Sequence, residues 1–412
     1  MGSEYFQAHQ LIEYLSVLVM LLGAAAVLAA PRLSRLSTRW YIGLPAVIFL
    51  ITRLGLLVVI GYLLKHGGGP DKAYWALHGE SALKGLLPYV DYSSGQGPLF
   101  SYLIAPAFLL FEKSVAPVIV FIVFDLLTFV FLHRLTESRS MARRIASVYL
   151  LSPISWFIVV RYGQDESIGA FLIVVLLILS RRGREHLIPI LAGLGIAATK
   201  VLFLLPVCPI LIHLKHRWRA CFIAGGIAVG AYLPFAILGG DLLRWIPSSR
   251  QWSGPNLWQA LGLSAETCWQ AAVVVFVAVT VILTVLVVLR NRTLGISGGI
   301  LLLYSGTMIT SPKAWYTYAL LVLPLLCMRI AKEAEKRKLV LFSGYGFALI
   351  LYAYICPGLQ YRTGSPQYLL ARGTVLFILG YHCYLLASCL GPLWKGRSDD
   401  SHREGIPEGV LP

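Results

Sequence analysis

Charged residues are scarce in this chain. Only 13% of its 412 residues are Asp, Glu, Lys or Arg, whereas about 25% is usual for a soluble domain, whose surface must face water. Apolar residues make up 58%. This balance excludes the two or three soluble domains that the length would otherwise suggest. It predicts a single all-α polytopic membrane domain over residues 1–390, with its excess apolar surface facing lipid.

Acidic residues are the scarcer charge: there are 19, against 35 Lys and Arg, which gives a formal net charge of +16. The basic residues form short clusters between apolar runs, as in the cytoplasmic loops of membrane proteins. No soluble segment carries a basic stripe with interleaved aromatics, so we do not expect nucleic acid as a partner. The seven cysteines include no Cys-x-x-Cys, and neither a zinc site nor a disulfide framework is supported.

The first apolar run lacks a preceding basic region and a cleavage motif, so we do not expect a cleaved signal peptide. Thirteen segments are apolar enough to be predicted as spans, the shorter ones inside a packed bundle. They are 11–30, 41–64, 114–133, 145–160, 166–180, 187–199, 202–214, 220–238, 270–289, 294–311, 315–329, 339–356 and 371–390.

Orientation follows from the basic loops. With the N-terminus outside, about two-thirds of the Lys and Arg residues fall on the cytoplasmic side, and the opposite orientation would invert that ratio. If the short apolar segment 97–111 spanned, a basic loop would move outside. We therefore predict that it forms a helix lying on the outer face or tucked against the bundle. The polar residues 391–412 are predicted to be a disordered cytoplasmic tail.

Two predicted extracytoplasmic loops are long, 65–97 and 239–269, and long ordered loops are more often functional than short connections. The second contains Trp245, Trp252 and Trp258. This loop either covers an acceptor or simply lies at the membrane interface.

The first loop carries Asp71, Glu80 and Asp91, and its residues 73–84 have helical spacing with Glu80 and Lys84 as an ion pair. Asp71 then lies at or just before the helix N-terminus. There it caps the helix, acts as a general base held ionised by the helix dipole, or does both. Glu80 is either a functional carboxylate or a solvated ion-pair partner, and Asp91 is either a functional carboxylate or a structural residue.

Charged residues recur in further segments predicted on the same face. The stretch 161–167 joins two spans and contains Arg161, Asp165 and Glu166, which are either functional or interfacial. Lys200 lies where two short spans meet. An isolated ammonium at that depth is costly unless an anion pairs with it, and a lipid phosphate would serve.

Two more segments add cations to this face. Lys313 precedes Trp315, Tyr316 and Tyr318, aromatics that form either an interfacial belt or a sugar platform. Arg362 and Arg372 flank the last outer loop. Carboxylates can activate a hydroxyl, and Lys or Arg can stabilise a developing phosphate anion, so the set suits group transfer from a lipid phosphate. Asp125, within a span, is functional or paired, and the sequence does not decide which.

The order of these motifs is informative. The first loop has Asp71, then Gly85, Pro88-Tyr89 and Pro98-Leu99; later come 161–167, the glycine-rich 193–200 ending in lysine, and the Trp/Tyr-rich 315–325. Over roughly residues 41–330 this series resembles the GT-C integral membrane glycosyltransferases. The pattern is most similar to that of the catalytic subunit of GPI mannosyltransferase I and its prokaryotic mannosyltransferase relatives.

The resemblance implies inverting transfer of a hexose, mannose by preference, from a polyprenyl- or dolichyl-phosphate sugar to a lipid or glycan acceptor outside the cytoplasm. Asp71 would deprotonate the acceptor hydroxyl. The departing phosphate would be held by Lys200, with Arg161, Lys313 or Arg372. Further catalytic or acceptor-binding candidates are Asp91, Glu80, Asp165 and Glu166.

The chain departs from the family in its first loop. That loop often carries Asp-x-Asp in the family, but Gly69 occupies the first of these positions here. Binding of a divalent metal, Mg²⁺ or Mn²⁺, is therefore left open. The short loops favour a prokaryotic plasma membrane over the endoplasmic reticulum.

Other functions are compatible with the sequence. A secondary transporter or lipid flippase would need charged or broken-helix sites near the midplane, together with internal repeats. A polytopic acyltransferase would need a histidine base, for which His66 and His78 are available in the first loop. A non-enzymatic scaffold would leave a membrane-buried Lys200 without a reason.

Overall fold

The computed structural model describes residues 14, 17–63, 71–242, 254–333, 335–355 and 365–395. Within these ranges the regular structure is helical, apart from one isolated bridge between Pro88 and Tyr92. Helices are the expected form for long apolar runs, because a backbone in lipid must satisfy its own hydrogen bonds. The predicted all-α class is confirmed.

The helices are named in chain order, and those of the first half surround the candidate site. They are α1 (Val17–Ser34), α2 (Thr38–Phe49), α3 (Lys72–Leu83), α4 (Phe100–Ile104), α5 (Ala116–Leu132), α6 (Arg139–Leu151), α7 (Pro153–Trp156) and α8 (Glu166–Arg181). π-helical turns continue α2 through Leu50–Gly55 and Val58–Leu63, and α7 through Phe157–Arg161.

The second half completes the bundle. Its helices are α9 (Ile188–Ala198), α10 (Leu204–His213), α11 (Arg217–Ile237), α12 (Leu257–Ala260), α13 (Ala265–Leu289), α14 (Asn291–Thr310), α15 (Ala319–Glu333), α16 (Lys336–Ile355) and α17 (Pro366–Lys395). Residues 391–395, predicted to belong to a disordered tail, are instead the end of α17, which continues to Lys395. The rest of the predicted tail lies outside the described residues.

Each of the thirteen predicted segments falls on a helix within the described residues. Six described helices are long and apolar enough to cross a membrane, or seven if the pair α6 and α7, bent by 47°, counts as one span. The chain is thus a multi-pass membrane protein, and the number thirteen stays a prediction. Segment 97–111 forms two short helices, Phe100–Ile104 and Ala105–Leu109, too short for a span of about 20 residues.

Burial and exposure divide the bundle into a centre and a periphery. Helix α15 packs against α6, α8 and α14, and apolar side chains such as Leu320 and Leu323 are fully buried. Helices α11 and α13 instead leave large apolar side chains exposed, such as Phe222 at 80% and Ile282 at 63%. Exposed apolar surface of this kind is suited to lipid contact.

A buried ion pair joins α2 to α5. Arg53 Nε donates to Asp125 Oδ2 at 2.9 Å, and both side chains are fully buried. The guanidinium also donates to the Leu150 carbonyl at 3.0 Å and to Ser155 Oγ at 2.5 Å. Tyr149 donates to the other carboxylate oxygen at 2.6 Å. The sequence left Asp125 undecided, and the structure shows that it is paired.

Several residues named in the sequence analysis lie outside the described residues. They are His66, Gly69, Trp245, Trp252 and Arg362.

Candidate active site

Residues from four separate parts of the chain meet at one end of the bundle. They come from the start of α3, the connection before α8, the connection between α9 and α10, and the short helix Tyr316–Tyr318 that precedes α15. We call Asp165, Glu166 and Lys200 the acid–lysine cluster. The predicted convergence of Asp71, the 161–167 stretch and Lys200 is therefore present in the fold.

Lys200 is paired with two carboxylates. Its Nζ lies 2.7 Å from Asp165 Oδ1 and 2.9 Å from Glu166 Oε1. The lysine side chain is 24% exposed, whereas each carboxylate side chain is 2% exposed. The expected anionic partner of Lys200, for which a lipid phosphate would have served, is thus supplied by the chain itself. One lysine with two carboxylates leaves a net charge of −1 when all three groups are ionised.

The cluster shifts the protonation of its members. Burial raises the pKa of Asp165 to about 6, and the negative charge of Glu166 adds to this against the attraction of Lys200. Burial disfavours the Lys200 ammonium, but Asp165 and Glu166 outweigh it and hold the pKa of Lys200 above its ordinary value. Lys200 therefore stays charged near neutral pH, whereas Asp165 gains protons as the pH falls through about 6.

The surrounding side chains hold the cluster in place. Thr317 Oγ1 donates to Glu166 Oε1 at 3.2 Å. The indole of Trp75 lies 5.8 Å from Lys200 Nζ, and its Nε1 donates to the Gly163 carbonyl at 2.7 Å. Trp75 thus ties α3 to the connection before α8. The second carboxylate oxygen of Glu166 is buried and has no hydrogen-bond partner among the described residues.

Asp71 occupies the N-cap position of α3, but its side chain makes no capping hydrogen bond. Instead, Gln164 Nε2 donates to Asp71 Oδ2 at 2.6 Å. Because Gln164 immediately precedes Asp165 in the chain, this bond places Asp71 beside the acid–lysine cluster. The predicted capping hydrogen bond of Asp71 is therefore absent from the described structure, and the carboxylate bonds to Gln164 instead.

Gln164 is the functional candidate that sequence reasoning missed. It is buried, with 4% of its surface exposed, and its amide also donates to the Tyr162 carbonyl at 3.1 Å. The signal in the sequence was its place inside the 161–167 motif, directly before the charged residues Asp165 and Glu166.

Close backbone contact fixes the first loop to the segment that carries Lys200. Gly97 N donates to the Thr199 carbonyl at 2.6 Å, and Leu99 N donates to the Ala197 carbonyl at 2.9 Å. A Cβ at Gly97 would lie 2.2 Å from the Ala197 oxygen, so only glycine allows this approach. The first loop and Lys200 are therefore held in one unit.

The interior of the cluster is tightly filled. A cavity of about 10 Å³ is bordered by the cluster, Thr199 and Tyr318, which is room for a single water molecule at most. A substrate would therefore reach the cluster from the partly exposed sides of Asp71 and Lys200, and not from within.

A divalent metal does not fit this arrangement. In the described part of the chain no three His, Cys, Asp or Glu residues lie close enough to hold a metal ion. The carboxylates of the cluster are already paired with Lys200.

The other candidate acids have local partners. Glu80 Oε1 lies 3.4 Å from Lys113 Nζ, so the predicted pairing with Lys84 is wrong, because packing of α3 on 105–109 brings Lys113 close. Asp91 is exposed, and its Oδ2 accepts a hydrogen bond from Leu87 N at 2.7 Å. Neither contact involves a residue of the acid–lysine cluster.

The other candidate cations are also placed by the fold. Arg161 Nε donates to the Tyr354 hydroxyl at 3.3 Å. Lys313 Nζ lies 5.7 Å from the ring of Trp269, and burial lowers the pKa of Lys313. Arg372 is exposed on α17. The described contacts of the cluster include none of these three side chains.

Two further expectations are tested by burial. The indole Nε1 of Trp258 donates to the Thr310 carbonyl at 2.7 Å, and the side chain is buried, as a packing residue would be. His78 is fully buried, its Nδ1 lies 2.7 Å from Ser101 Oγ, and burial lowers its pKa to about 3. A neutral, enclosed imidazole is poorly placed to act as the base of an acyltransferase.

Comparison with protein-family models, with curated proteins and with solved structures found no match.

Proposed function

We propose that this protein is an inverting membrane glycosyltransferase that moves a hexose, mannose by preference, from a polyprenyl-phosphate sugar to a lipid or glycan acceptor. One observation carries the proposal. Asp71 is released from capping its helix and is instead held by Gln164 beside the acid–lysine cluster. The arrangement unites a carboxylate base with a cation for a departing phosphate, which is what this reaction needs.

Asp71 is the general base. An oxygen of its carboxylate takes the proton of the acceptor hydroxyl as the hydroxyl oxygen attacks the anomeric carbon. The bond between that carbon and the phosphate oxygen breaks, and the electron pair leaves with the polyprenyl phosphate. A single displacement of this kind inverts the anomeric configuration, as in inverting glycosidases. The hydrogen bond from Gln164 orients the carboxylate.

Lys200 stabilises the departing phosphate. An ammonium has three donors, and two of them face Asp165 and Glu166. The third donor and the exposed 24% of the side chain suit a phosphate oxygen. The two carboxylates keep Lys200 charged, but they also leave the cluster negative. A second cation is therefore required at the donor phosphate, for which Arg161, Lys313 and Arg372 are the candidates.

The proposal includes a sidedness. With thirteen spans and the N-terminus outside, the cluster faces the extracytoplasmic side of a prokaryotic plasma membrane, where lipid-linked sugars are used. The basic loops support this orientation through the positive-inside rule.

The test is transfer of labelled mannose from a polyprenyl-phosphate donor by the purified full-length protein. Asp71→Asn keeps the shape and removes the base, so transfer should fall by about 10²–10⁴-fold. Asp91→Asn is the matched control, because it makes the same chemical change in an exposed local turn, and it should transfer like the wild type.

Other outcomes would redirect the assignment. Full transfer by Asp71→Asn would move the base to Asp91, Glu80 or Asp165. If the wild type transferred no sugar from any of a panel of lipid-phosphate donors, the transporter or flippase alternative would take precedence. The buried Arg53–Asp125 pair lends that alternative little support, because the two groups neutralise each other and each also hydrogen-bonds to neighbouring groups.

A further inference from the structure

A wide apolar groove lies at the other end of the bundle. Its volume is about 880 Å³, within the range of about 300–1,000 Å³ that is usual for ligand sites. Helices α2, α5 and α6 form its walls. The side chains along it include Ile42, Leu50 and Val123, which are 68%, 51% and 48% exposed. The groove is therefore open toward the region that lipid would occupy.

The groove is separate from the acid–lysine cluster. None of Asp165, Glu166 and Lys200 lines it. Its cationic end lies near the start of α6, whereas Arg161 lies at the other end of the same bent helix pair.

One end of the groove carries two arginines that share a single hydroxyl. Arg139 Nη2 donates to Thr38 Oγ1 at 3.3 Å, and Arg143 Nη2 donates to the same oxygen at 3.0 Å. Arg143 Nη1 donates to the Leu36 carbonyl at 3.0 Å, and its guanidinium lies 4.5 Å from the ring of Tyr41. Two like charges are thus held close together by neutral groups.

No carboxylate of the described chain neutralises this pair. Glu137 borders the same end of the groove, but among the described residues no ion pair within 4.0 Å joins it to Arg139 or Arg143. Two guanidinium groups next to each other favour an anion, and the guanidinium fork matches the geometry of a phosphate or a carboxylate.

We propose that this groove binds an anionic glycerophospholipid of the adjacent leaflet. Its phosphate contacts Arg139 and Arg143, and an acyl chain lies along the apolar wall formed by α2 and α5. Because the cationic end and the apolar wall are continuous, a single amphiphilic molecule can contact both. A free phosphate would use only the arginines, and a zwitterionic lipid would bring its own cation toward them.

The test is binding of phosphatidylglycerol to the purified full-length protein in neutral detergent, measured by native mass spectrometry. Phosphatidylcholine is the headgroup control, and inorganic phosphate tests the headgroup alone. We expect phosphatidylglycerol to bind at least tenfold more tightly than phosphatidylcholine. Inorganic phosphate should not displace it at equal concentration.

The arginines are tested by charge removal. Arg139→Gln should weaken phosphatidylglycerol binding about fivefold, and Arg139→Gln with Arg143→Gln about 30-fold, from the usual attraction of each basic residue to an anionic lipid. Arg32→Gln with Arg35→Gln is the matched control, because it removes the same charge at the same end of the bundle but outside the groove. It should change binding by less than about threefold.

The apolar wall is tested by filling it. Ala46 lines the groove, whereas the adjacent Val47 does not, and both are exposed. Ala46→Trp should lower binding of both lipids, and Val47→Trp should not. This pair keeps the proposal testable even if loss of Arg143, which has structural contacts, impairs folding.

Three results would overturn the proposal. One is equal binding of phosphatidylglycerol by the wild type and Arg139→Gln. Another is equal binding by Ala46→Trp and Val47→Trp. The third is displacement of the lipid by polyprenyl-phosphate mannose with the same dependence on Arg139, which would make the groove a donor site.

Discussion

Two buried ionic groups in this protein differ in how completely they are satisfied. In the bundle, one cation meets one anion: Arg53 and Asp125 are both fully buried, and the remaining donors and acceptor oxygen bond to neighbouring groups. At the end of the bundle, one lysine meets two carboxylates and remains 24% exposed, and one carboxylate oxygen of Glu166 has no hydrogen-bond partner within the described ranges.

The difference indicates different roles. The Arg53–Asp125 pair has no net charge, and its groups are hydrogen-bonded to neighbouring groups, so it offers no contact to a ligand. Its role is therefore to hold α2 against α5. An unbalanced, partly exposed group keeps both charge and unused hydrogen-bonding capacity, which are the properties of a reacting site. The proposed chemistry therefore belongs to the acid–lysine cluster and not to the intramembrane pair.

The largest expected effect on stability comes from breaking the Arg53–Asp125 ion pair. Asp125→Ala leaves the Arg53 charge buried without its anion and should cost about 3–5 kcal/mol of stability. Thermal unfolding in detergent measures it. The double variant Arg53→Met with Asp125→Leu should regain most of that loss, because it removes both charges together. If the double variant were no more stable than Asp125→Ala, the pair would have a role beyond neutralising charge.

The cluster should respond in activity more than in folding. Lys200→Met removes the cation from the departing phosphate, and sugar transfer should fall by about 100-fold or more, as for loss of a donor to a developing oxyanion. Lys200→Met also removes the cation that neutralises the buried carboxylates, which lowers folding stability. Part of this loss is relieved, because Asp165 can take up a proton. Retained transfer in a folded Lys200→Met protein would contradict the role given to this lysine.

A smaller effect should appear in the pH dependence of stability. Burial raises the pKa of Asp165 from 3.8 to about 6, so between these values the folded protein binds a proton that the unfolded chain releases. The contribution of Asp165 to the free energy of unfolding then falls as pH rises through this window, by up to about 1.4 kcal/mol per pH unit.

Comparison of two proteins isolates that contribution. The stability of the wild type minus that of Asp165→Asn, followed by thermal unfolding from pH 4 to 7, should decrease with pH and then level off. Asp91→Asn, at an exposed turn, should follow the wild type throughout. Parallel curves for the wild type and Asp165→Asn would show that this carboxyl has an ordinary pKa.

The smallest effect is expected at the surface. The Lys113 side chain is 68% exposed and that of Glu80 is 39% exposed, so solvent screens their attraction. Glu80→Gln should change stability by less than about 1 kcal/mol and leave sugar transfer unchanged. A loss of transfer would return Glu80 to the set of catalytic candidates, and the measurement is the same mannose assay.

The sequence was a good guide wherever the property was local. Hydrophobic runs located the helices, because a run of apolar residues in lipid has few alternatives to a helix. Helical spacing placed Asp71 at the start of α3, where the structure has it. Local spacing also predicted the pair Glu80–Lys84, which failed because a residue from another segment, Lys113, lies closer.

Local sequence patterns could not predict which charged residues pair with one another. Arg53 and Asp125 are 72 positions apart, and Glu166 and Lys200 are 34 apart. A charge in an apolar run signals that a partner is needed, but the partner depends on which helices pack together. The same holds for Gln164, whose amide reaches Asp71 across 93 positions.

By itself, the sequence determined that this is an all-α membrane protein and located the segments that carry its charged residues. It could do so because composition and the length of the hydrophobic runs set the free energy of transferring each segment from lipid to water. Only the tertiary structure decided which charges neutralise one another. It left the acid–lysine cluster unbalanced and, in the part of the chain that the structure describes, two arginines of the groove without a carboxylate partner. Electrostatic interactions fall off with distance in space, and packing alone sets that distance for residues far apart in the chain.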